Sequence, residues 1–501
     1  MVKIKLMLLS DDLLLDYKRC RRRAFLNVFG DPQDRDPQSE FLLKLRRESK
    51  NHANNILNQY YPVYHRPQAE RSNRRVDFLL AKARETEALM RQGVECIYRG
   101  VLLNSADPHW ELSTRYFTPS RIILLGTASL LVKRSGKSKF GDWSYYATSI
   151  QLGRRPKPEY KLLAAFYAKL LGTIQGVLPP LSQIILRRRD TYAVNLDYWL
   201  PRMQQVVSEC ISMLSAQCEP EVFISRQRCS LCHWYTRCYE NAKSQQHLSL
   251  VPGVTPKRYE HLQTLGLDSL ESLAAATPAH FGEVIENDIA RQLQQQALSI
   301  IENRPLLKVN GVSNGDRFLP TASIELYFDI EAEPDRNLDY LLGVLLVDRQ
   351  TNSEQFYYFL AEKPEEEEII WQQFLALIHL YADAPIFHYS EYEVETIQRL
   401  AKLYNAPTTQ IELLLSRCVD LHAEVIASVT LPVENYSLKT LAGWLGFQWR
   451  QQGVSGEQSV CWYDRWLKTG DRSFLDAILR YNEDDCRATR HLKDWLVDFL
   501  P

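Results

Sequence analysis

SIELYFDIEAE, residues 323–333, is the stretch on which the reading of the fold turns. Its Ile, Tyr and Phe residues are strand formers, so the segment predicts a β-strand. Side chains alternate across a strand, which puts Asp329 and Glu331 on one face, able to reach the same point. Working outward, NLDYLLGVLLVDRQ and EQFYYFLAE supply two more strands joined by a turn, giving a meander. EEEEIIWQQFLALIHLY follows as a helix with acids in its first turn, where the macrodipole favours them. APIFHYSEYEVETIQRLAKLY reads as a short strand and then a helix that opens near Glu393. The closing helix, ILRYNEDDCRATRHLKDWL, carries Tyr481 and Asp485 four residues apart and therefore on one face. Asp484 is adjacent but turned by about 100° around the axis, so Asp485 is the better partner for Asp329.

Composition bounds the rest. A chain of 501 residues with 45% hydrophobic and 24% charged residues is ordinary for globular protein and long enough for two or three domains. No apolar run approaches the roughly 20 residues of a membrane span. The N-terminal MVKIKLMLLSDDLLLD places acids directly after a short apolar stretch, which makes a poor export signal. A cytoplasmic location and no membrane partner are therefore expected. The net charge of −1 hides a division: residues 1–250 hold 39 Lys and Arg against 23 Asp and Glu, and residues 251–501 hold 21 against 38. A basic half suits a polyanion, whereas an acidic half repels one unless its carboxylates carry divalent cations. No Gly-x-x-x-x-Gly-Lys phosphate loop occurs, so the chain is not its own ATP-driven motor.

The basic half has its own signature. Cys20 stands alone in DLLLDYKRCRRRAFLNVFG, which reads as one helix, and Cys229, Cys232 and Cys238 close up in CSLCHWYTRC. Four thiolates in this one-plus-three arrangement suit a soft-metal or iron–sulfur site that staples the ends of a domain. RIILLGTASLLVKR (121–134) and DWSYYATSIQLGRR (142–155) are strands, and KPEYKLLAAFYAKLLGTIQG is a long amphipathic helix. The Arg clusters at Arg19, Arg21–Arg23 and Arg187–Arg189 are candidate nucleic-acid contacts. Between the halves, LVPGVTPKRYEHLQTLGLDSLESLAAATPAHF (250–281) has two turn-and-helix openings, and the polar loop NGVSNGDR (310–317) ends the segment.

Residues 5–245 resemble the RecB/AddB-type iron–sulfur nucleases. The resemblance implies a PD-(D/E)XK restriction-endonuclease fold with a 4Fe-4S cluster on Cys20, Cys229, Cys232 and Cys238, Zn²⁺ being the alternative. The family's metal-binding Asp falls at Ser129, its acid-x-Lys triplet at Ser149, Ile150 and Gln151, and its Gln at Leu163, while its Tyr is kept as Tyr167. His52 is the residue that would match its auxiliary His. Residues 143–153 contain no Asp, Glu or Lys at all, so this site is expected to be inactive and the domain retained for binding. Residues 250–281 resemble a helix-hairpin-helix. Residues 318–500 resemble the RNase H-like 3′–5′ exonucleases with four metal-binding acids and a catalytic Tyr.

That second resemblance implies a two-metal site for Mg²⁺ or Mn²⁺ on Asp329, Glu331, Glu393 and Asp485, with Tyr481 orienting or deprotonating the attacking water. Glu393 stands where the family places Asp, and Asp420 is a candidate substitute. The expected organisation is an α/β multidomain chain: 1–245 RecB-like, 246–317 a helical linker, 318–501 the exonuclease fold. The expected substrate is DNA or RNA, single-stranded or with a 3′ end, and a helicase partner follows by analogy alone. The alternative is a non-catalytic nucleic-acid-binding or assembly protein in which both nuclease sites are decayed.

Overall fold

The single helix expected over DLLLDYKRCRRRAFLNVFG is two helices in the computed structural model, α1 (Asp11–Arg19) and α2 (Arg21–Phe29), and the break is Cys20 itself. Its backbone is extended, its N–H donates to Asp16 O at 2.7 Å, and its Sγ accepts from Arg23 N at 3.4 Å. A residue that caps one helix and starts the next must leave helical dihedrals. The thiol is thereby turned out of the helix axis.

The structure describes residues 7–69, 75–105, 122–282, 284–308 and 319–500. The loop NGVSNGDR and the leading Arg121 of the first expected strand lie outside them. Two compact units are present: Met1–Val222 with Arg226–Tyr239, and Phe223–Ser225 with Glu240–Pro501. In the first, β1 (Met7–Ser10) leads into α1, and α2 is followed by α3 (Glu40–Tyr60) and α4 (Arg75–Gln92). Strands β2 (Cys96–Ser105), β3 (Ile122–Ser138) and β4 (Gly141–Ile150) form an antiparallel core, with β1 parallel to the start of β3. Helix α5 (Pro158–Gln175) precedes β5 (Gln183–Ile185), parallel to β4, and β6 (Thr191–Ala193) completes the sheet. Helices α6 (Leu196–Ala216), α7 (Arg226–Cys229) and α8 (Tyr235–Ser244) follow.

Contrary to expectation, α5 is not amphipathic: Leu162 through Ala168 is a continuous buried run, and the helix packs on β2, β3 and β4 and against α1 and α6. A helix apolar all round is an interior helix. One buried acid anchors it. Asp11 Oδ2 accepts from Thr127 N at 2.7 Å and from the Tyr167 hydroxyl at 2.8 Å, and burial pushes its carboxyl above the usual range.

The second unit opens with α9 (Pro256–Thr264), α10 (Leu270–Ala275) and α11 (Asn287–Glu302), packed around Leu262, Leu273, Phe281 and Leu293. Gly253 and Gly266 enter these turns at φ +90° and +71°, which a residue with a Cβ adopts only at a cost. This segment is docked within its unit: β7 (Leu306–Leu307) pairs with β13 (Val429–Thr430), and Gln296 Nε2 donates to Leu431 O at 2.6 Å.

The remaining sheet runs β10 (Ser353–Leu360), β9 (Leu338–Asp348), β8 (Ile324–Glu333), β11 (Ile386–His388), β12 (Cys418–Asp420). Its first three strands are an antiparallel meander, and β8, β11 and β12 are parallel. Helices α12 (Glu367–Leu380), α13 (Tyr392–Leu403), α14 (Thr408–Leu415), α15 (Leu421–Ser428), α16 (Leu438–Trp444) and α17 (Gly456–Thr469) surround it, and α18 (Ser473–Phe499) packs on β8 and β9. Gly343 on β9 lies opposite Asp329, where any Cβ would collide with the Asn482 amide of α18 and force that side chain to move. No described helix is long and apolar enough to cross a membrane.

Candidate functional site

Strand β8 and helix α18 build a carboxylate group. Asp329, Glu331 and Asp485 each offer an oxygen, and these atoms lie within 4.8 Å of one another. Each acid is also held from behind. Asn482 Nδ2 donates to Asp329 Oδ2 at 2.7 Å, Ser459 Oγ to Glu331 Oε2 at 2.6 Å, and Trp449 Nε1 to Asp485 Oδ1 at 2.6 Å. The Ser459 hydroxyl is in turn hydrogen-bonded to that of Tyr340. Tyr481, one turn before Asp485, hydrogen-bonds to it, and burial together with the neighbouring carboxylates pushes its phenol far above the ordinary value.

Burial raises Asp329 well above the usual carboxylate range, and the charges of Asp485, Glu331 and Glu393 add to it. Glu331 and Asp485 are raised chiefly by burial, and Lys439 pulls both back. Three acids crowded in a low dielectric repel one another unless a proton or cation intervenes. A hard, all-oxygen set of this kind fits Mg²⁺ or Mn²⁺.

Glu393 stands apart from those three. It is buried in the first turn of α13, where Ser390 Oγ donates to its Oε2 at 3.3 Å and His388 Nδ1 lies 3.6 Å away. Its charge nonetheless bears on Asp329. Ser390, just before the helix, has φ +118°, a strained backbone that costs of order 1–3 kcal/mol. Asp420 holds that turn: its Oδ1 accepts from Ser390 N at 3.0 Å and from His422 N at 2.9 Å as the cap of α15, so its bonds go to backbone amides. Asp484 is likewise occupied, with Arg450 N and Nε at 2.9 and 2.7 Å.

Four residues of this site escape a sequence reading. Lys439 lies 4.6 Å from the centroid of the Tyr481 ring, donates to Val454 O, and acts on Asp485 and Glu331; burial pushes its ammonium down. A lone Lys on a short helix carries no motif, and Trp449 and Ser459 carry none either. Asn482 had a usable signal, since i and i+3 on a helix are neighbours and it precedes Asp485 by three.

The four cysteines converge in the first unit. Cys232 and Cys238 each feel the charges of Cys20 and Cys229, none of the four is in a disulfide, and Cys232 and Cys238 pack against Phe25, Leu26 and the buried Trp234. Burial pushes the Cys232 thiol up to about 11, with Arg23 pulling against it, and Cys238 is raised with Arg22 opposing. Among the described residues the carboxylates are the one group of three or more His, Cys, Asp or Glu side chains whose ligand atoms all lie within 4.8 Å.

The arginines around Cys20 divide between surface and interior: Arg19 and Arg21 are exposed, and Arg22 and Arg23 are drawn in. Arg22 is only 9% exposed and pairs with Glu219 at 2.6 Å, Arg23 pairs with Asp16 at 2.8 Å, and Arg21 with Glu209 at 3.2 Å. Arg187 pairs with Glu48 at 3.0 Å, while Arg188 and Arg189 are exposed. His52 sits against the Leu186 backbone, and burial plus Arg187 and Arg189 hold its ring below the ordinary range.

On β3 and β4, Ser129 Oγ accepts from Ile150 N at 3.1 Å and Ser149 is 3% exposed. Gln151 continues the sheet through its N–H to Ile185 O at 2.9 Å, and Leu163 lies in the core. Tyr167 is the residue bonded to Asp11.

No curated protein matches the chain. The family model RNase_H_2, of the RNase H superfamily, matches residues 326–497, the span that carries β8, the meander, the parallel strands and the carboxylate-bearing α18. This part of the chain is an RNase H-like domain, a fold of nucleic-acid hydrolysis whose nucleases generally use two divalent metals, and it holds the Asp329, Glu331 and Asp485 carboxylate cluster.

Proposed function

We propose that the chain is a metal-dependent 3′–5′ exonuclease whose RNase H-like domain trims nucleic acid, with the N-terminal region a RecB-like, iron–sulfur-stapled domain that binds without cutting. The observation that carries the catalytic part is the group of three carboxylates within 4.8 Å, Glu331 and Asp485 buried and Asp329 partly so, with Tyr481 hydrogen-bonded to Asp485. Asp329, Glu331 and Asp485 would hold the cations, with Glu393 completing the set from α13. Bound Mg²⁺ or Mn²⁺ supplies an activated water and stabilises the leaving oxygen. The chain's own residues do the positioning. Asn482, Ser459 and Trp449 fix the carboxylates, the Tyr481 hydroxyl orients the water, and Lys439 tempers the negative charge beside it.

Two observations support the reading of the N-terminal region. Ser129, Ser149 and Leu163 stand where a cation would need oxygen and nitrogen donors, and all three are absorbed into packing or backbone bonds. The convergence of four cysteines outside any disulfide, with Cys20 at a helix break, suits a resident cluster. The engagement of Glu393 with Ser390 and His388 is what favours the second reading, a non-catalytic nucleic-acid-binding protein.

Degradation of 3′- and 5′-labelled single-stranded DNA and RNA with Mn²⁺, beside Asp329→Ala, decides between the two. Loss of nucleotides from the 3′ end that vanishes in the variant is expected. Binding with no turnover would establish the second reading. Visible absorbance after anaerobic purification, lost in Cys20→Ser, tests the cluster, since Zn²⁺ is colourless.

A further inference from the structure

With Arg21, Arg22 and Arg23 committed to carboxylates, the question is which cations of the first unit remain for a polyanion. One answer lies beside the cysteines. A cleft of about 700 Å³ is walled by the chain leaving α2 and the start of α3 on one side and by CSLCHWYTRC on the other. Its walls are pinned together: Asp36 N donates to His233 O at 2.9 Å, and Asp36 Oδ2 accepts from Thr236 N at 3.0 Å. One oxygen of the acid in the cleft is thus taken by a backbone amide.

Two exposed arginines line it. Arg35 lies over the ring of the buried Trp234, 5.1 Å from its centroid, and Arg46 donates to Gln38 Oε1 at 2.7 Å. Among the described residues neither has a carboxylate within ion-pair distance, unlike Arg21, Arg22, Arg23, Arg187 and Arg237. At the rim, Tyr235 is 40% exposed and stacks on Tyr239, with centroids 5.6 Å apart and planes at 24°. An aromatic platform beside carboxylate-free guanidinium groups matches the two demands of an unpaired strand, phosphate neutralisation and base stacking.

We infer that this cleft is a binding site for single-stranded nucleic acid, with Arg35 and Arg46 on the phosphates and Tyr235 stacking on a base. The inference rests on the proposal that the N-terminal region binds nucleic acid, and it locates that binding.

The test measures fluorescence anisotropy of labelled single-stranded DNA and RNA oligonucleotides with the full chain, in chelator so that nothing is hydrolysed, across a salt series. Arg35→Gln with Arg46→Gln should lower the slope of log affinity against log salt by about 1.4, from two contacts at about 0.7 each. Arg35→Lys with Arg46→Lys should keep the slope. Tyr235→Ala should weaken binding by roughly 5- to 100-fold, and Tyr235→Phe should not. The exposed pair Lys137→Gln with Arg155→Gln serves as the charge-matched control and should leave affinity within about twofold.

Equal losses from both glutamine pairs would overturn the site, as would loss of the slope in the lysine pair. Displacement of the oligonucleotide by oligoglutamate of equal charge would also overturn it, by making the cleft a general acceptor of acidic chains. Trimming by the wild type with binding indifferent to every cleft variant would sink the cleft and leave the exonuclease proposal standing. No binding of either polymer would remove the cleft together with the binding role proposed for the N-terminal region, the exonuclease being judged by its own turnover.

Discussion

Ser129 and Ser149 in the first unit and Asp329 and Glu331 in the second occupy comparable places, on central strands of a mixed sheet, and are treated in opposite ways. The serines are closed into the fold: one accepts a backbone N–H of the neighbouring strand, and the other is buried. The acids are crowded with Asp485 until burial and mutual repulsion drive their protonation upward. The first arrangement satisfies itself, whereas the second opposes folding unless a countercharge is supplied. The contrast teaches that a site built for a cation is recognisable by the charge its own fold leaves unbalanced.

The largest expected effect breaks the second arrangement. Asp329→Ala should lower Mn²⁺-dependent release of nucleotides by about a thousandfold or more, because a ligand to a catalytic cation supplies several kcal/mol. Asp484→Asn, which bonds to Arg450 and reaches the cluster only through its charge on Asp485, should stay within about tenfold of wild type. Initial rates on a 3′-labelled oligonucleotide check both, and equal losses would dissolve the distinction between the adjacent acids.

Next in size is an attempt to convert the first arrangement into the second. Ser129→Asp with Ser149→Asp should destabilise by about 3–5 kcal/mol, since it buries two unpaired charges. Urea melts should show this loss, and Mn²⁺ should return part of it if the two carboxylates meet. A smaller loss is expected from Asp11→Ala, which strips acceptors from the Thr127 N–H and the Tyr167 hydroxyl. About 2–3 kcal/mol should go, read as a lower urea midpoint at unchanged slope. An unchanged midpoint would mean that Asp11 is not the anchor of α5. The smallest effect sharpens the second site: Lys439→Met should cut turnover about tenfold, near 1.4 kcal/mol, with calorimetric Mn²⁺ binding no weaker than in wild type. Weaker binding would make Lys439 a support of the carboxylates and not a group acting beside the water.

Much of the second unit was legible because its elements are long and periodic. The alternation of SIELYFDIEAE and the four-residue spacing of Tyr481 and Asp485 follow from backbone geometry alone, and both acids came to the same place. The first unit was less legible. Nothing in the periodicity of DLLLDYKRCRRRAFLNVFG marks the break at Cys20, because the pattern of apolar residues continues through it while the cap is made by one side chain. Nor does α5 announce that it is interior, since its few charged residues mimic a polar face.

The sequence by itself determined which residues can ligate and in what order the elements come, because residue chemistry and backbone periodicity are local. It also determined the division of charge between the halves. Only the tertiary structure decided which charges are free to act. Arg22, Arg23, Asp420 and Asp484 were candidates by type, and each is spent on a partner distant in sequence or on a backbone amide. Lys439, Asn482, Ser459 and Trp449 gained their roles the same way, by being brought beside Asp329, Glu331 and Asp485. A charge interacts with whatever the fold places within a few ångströms, and that neighbourhood is set by packing across the whole unit.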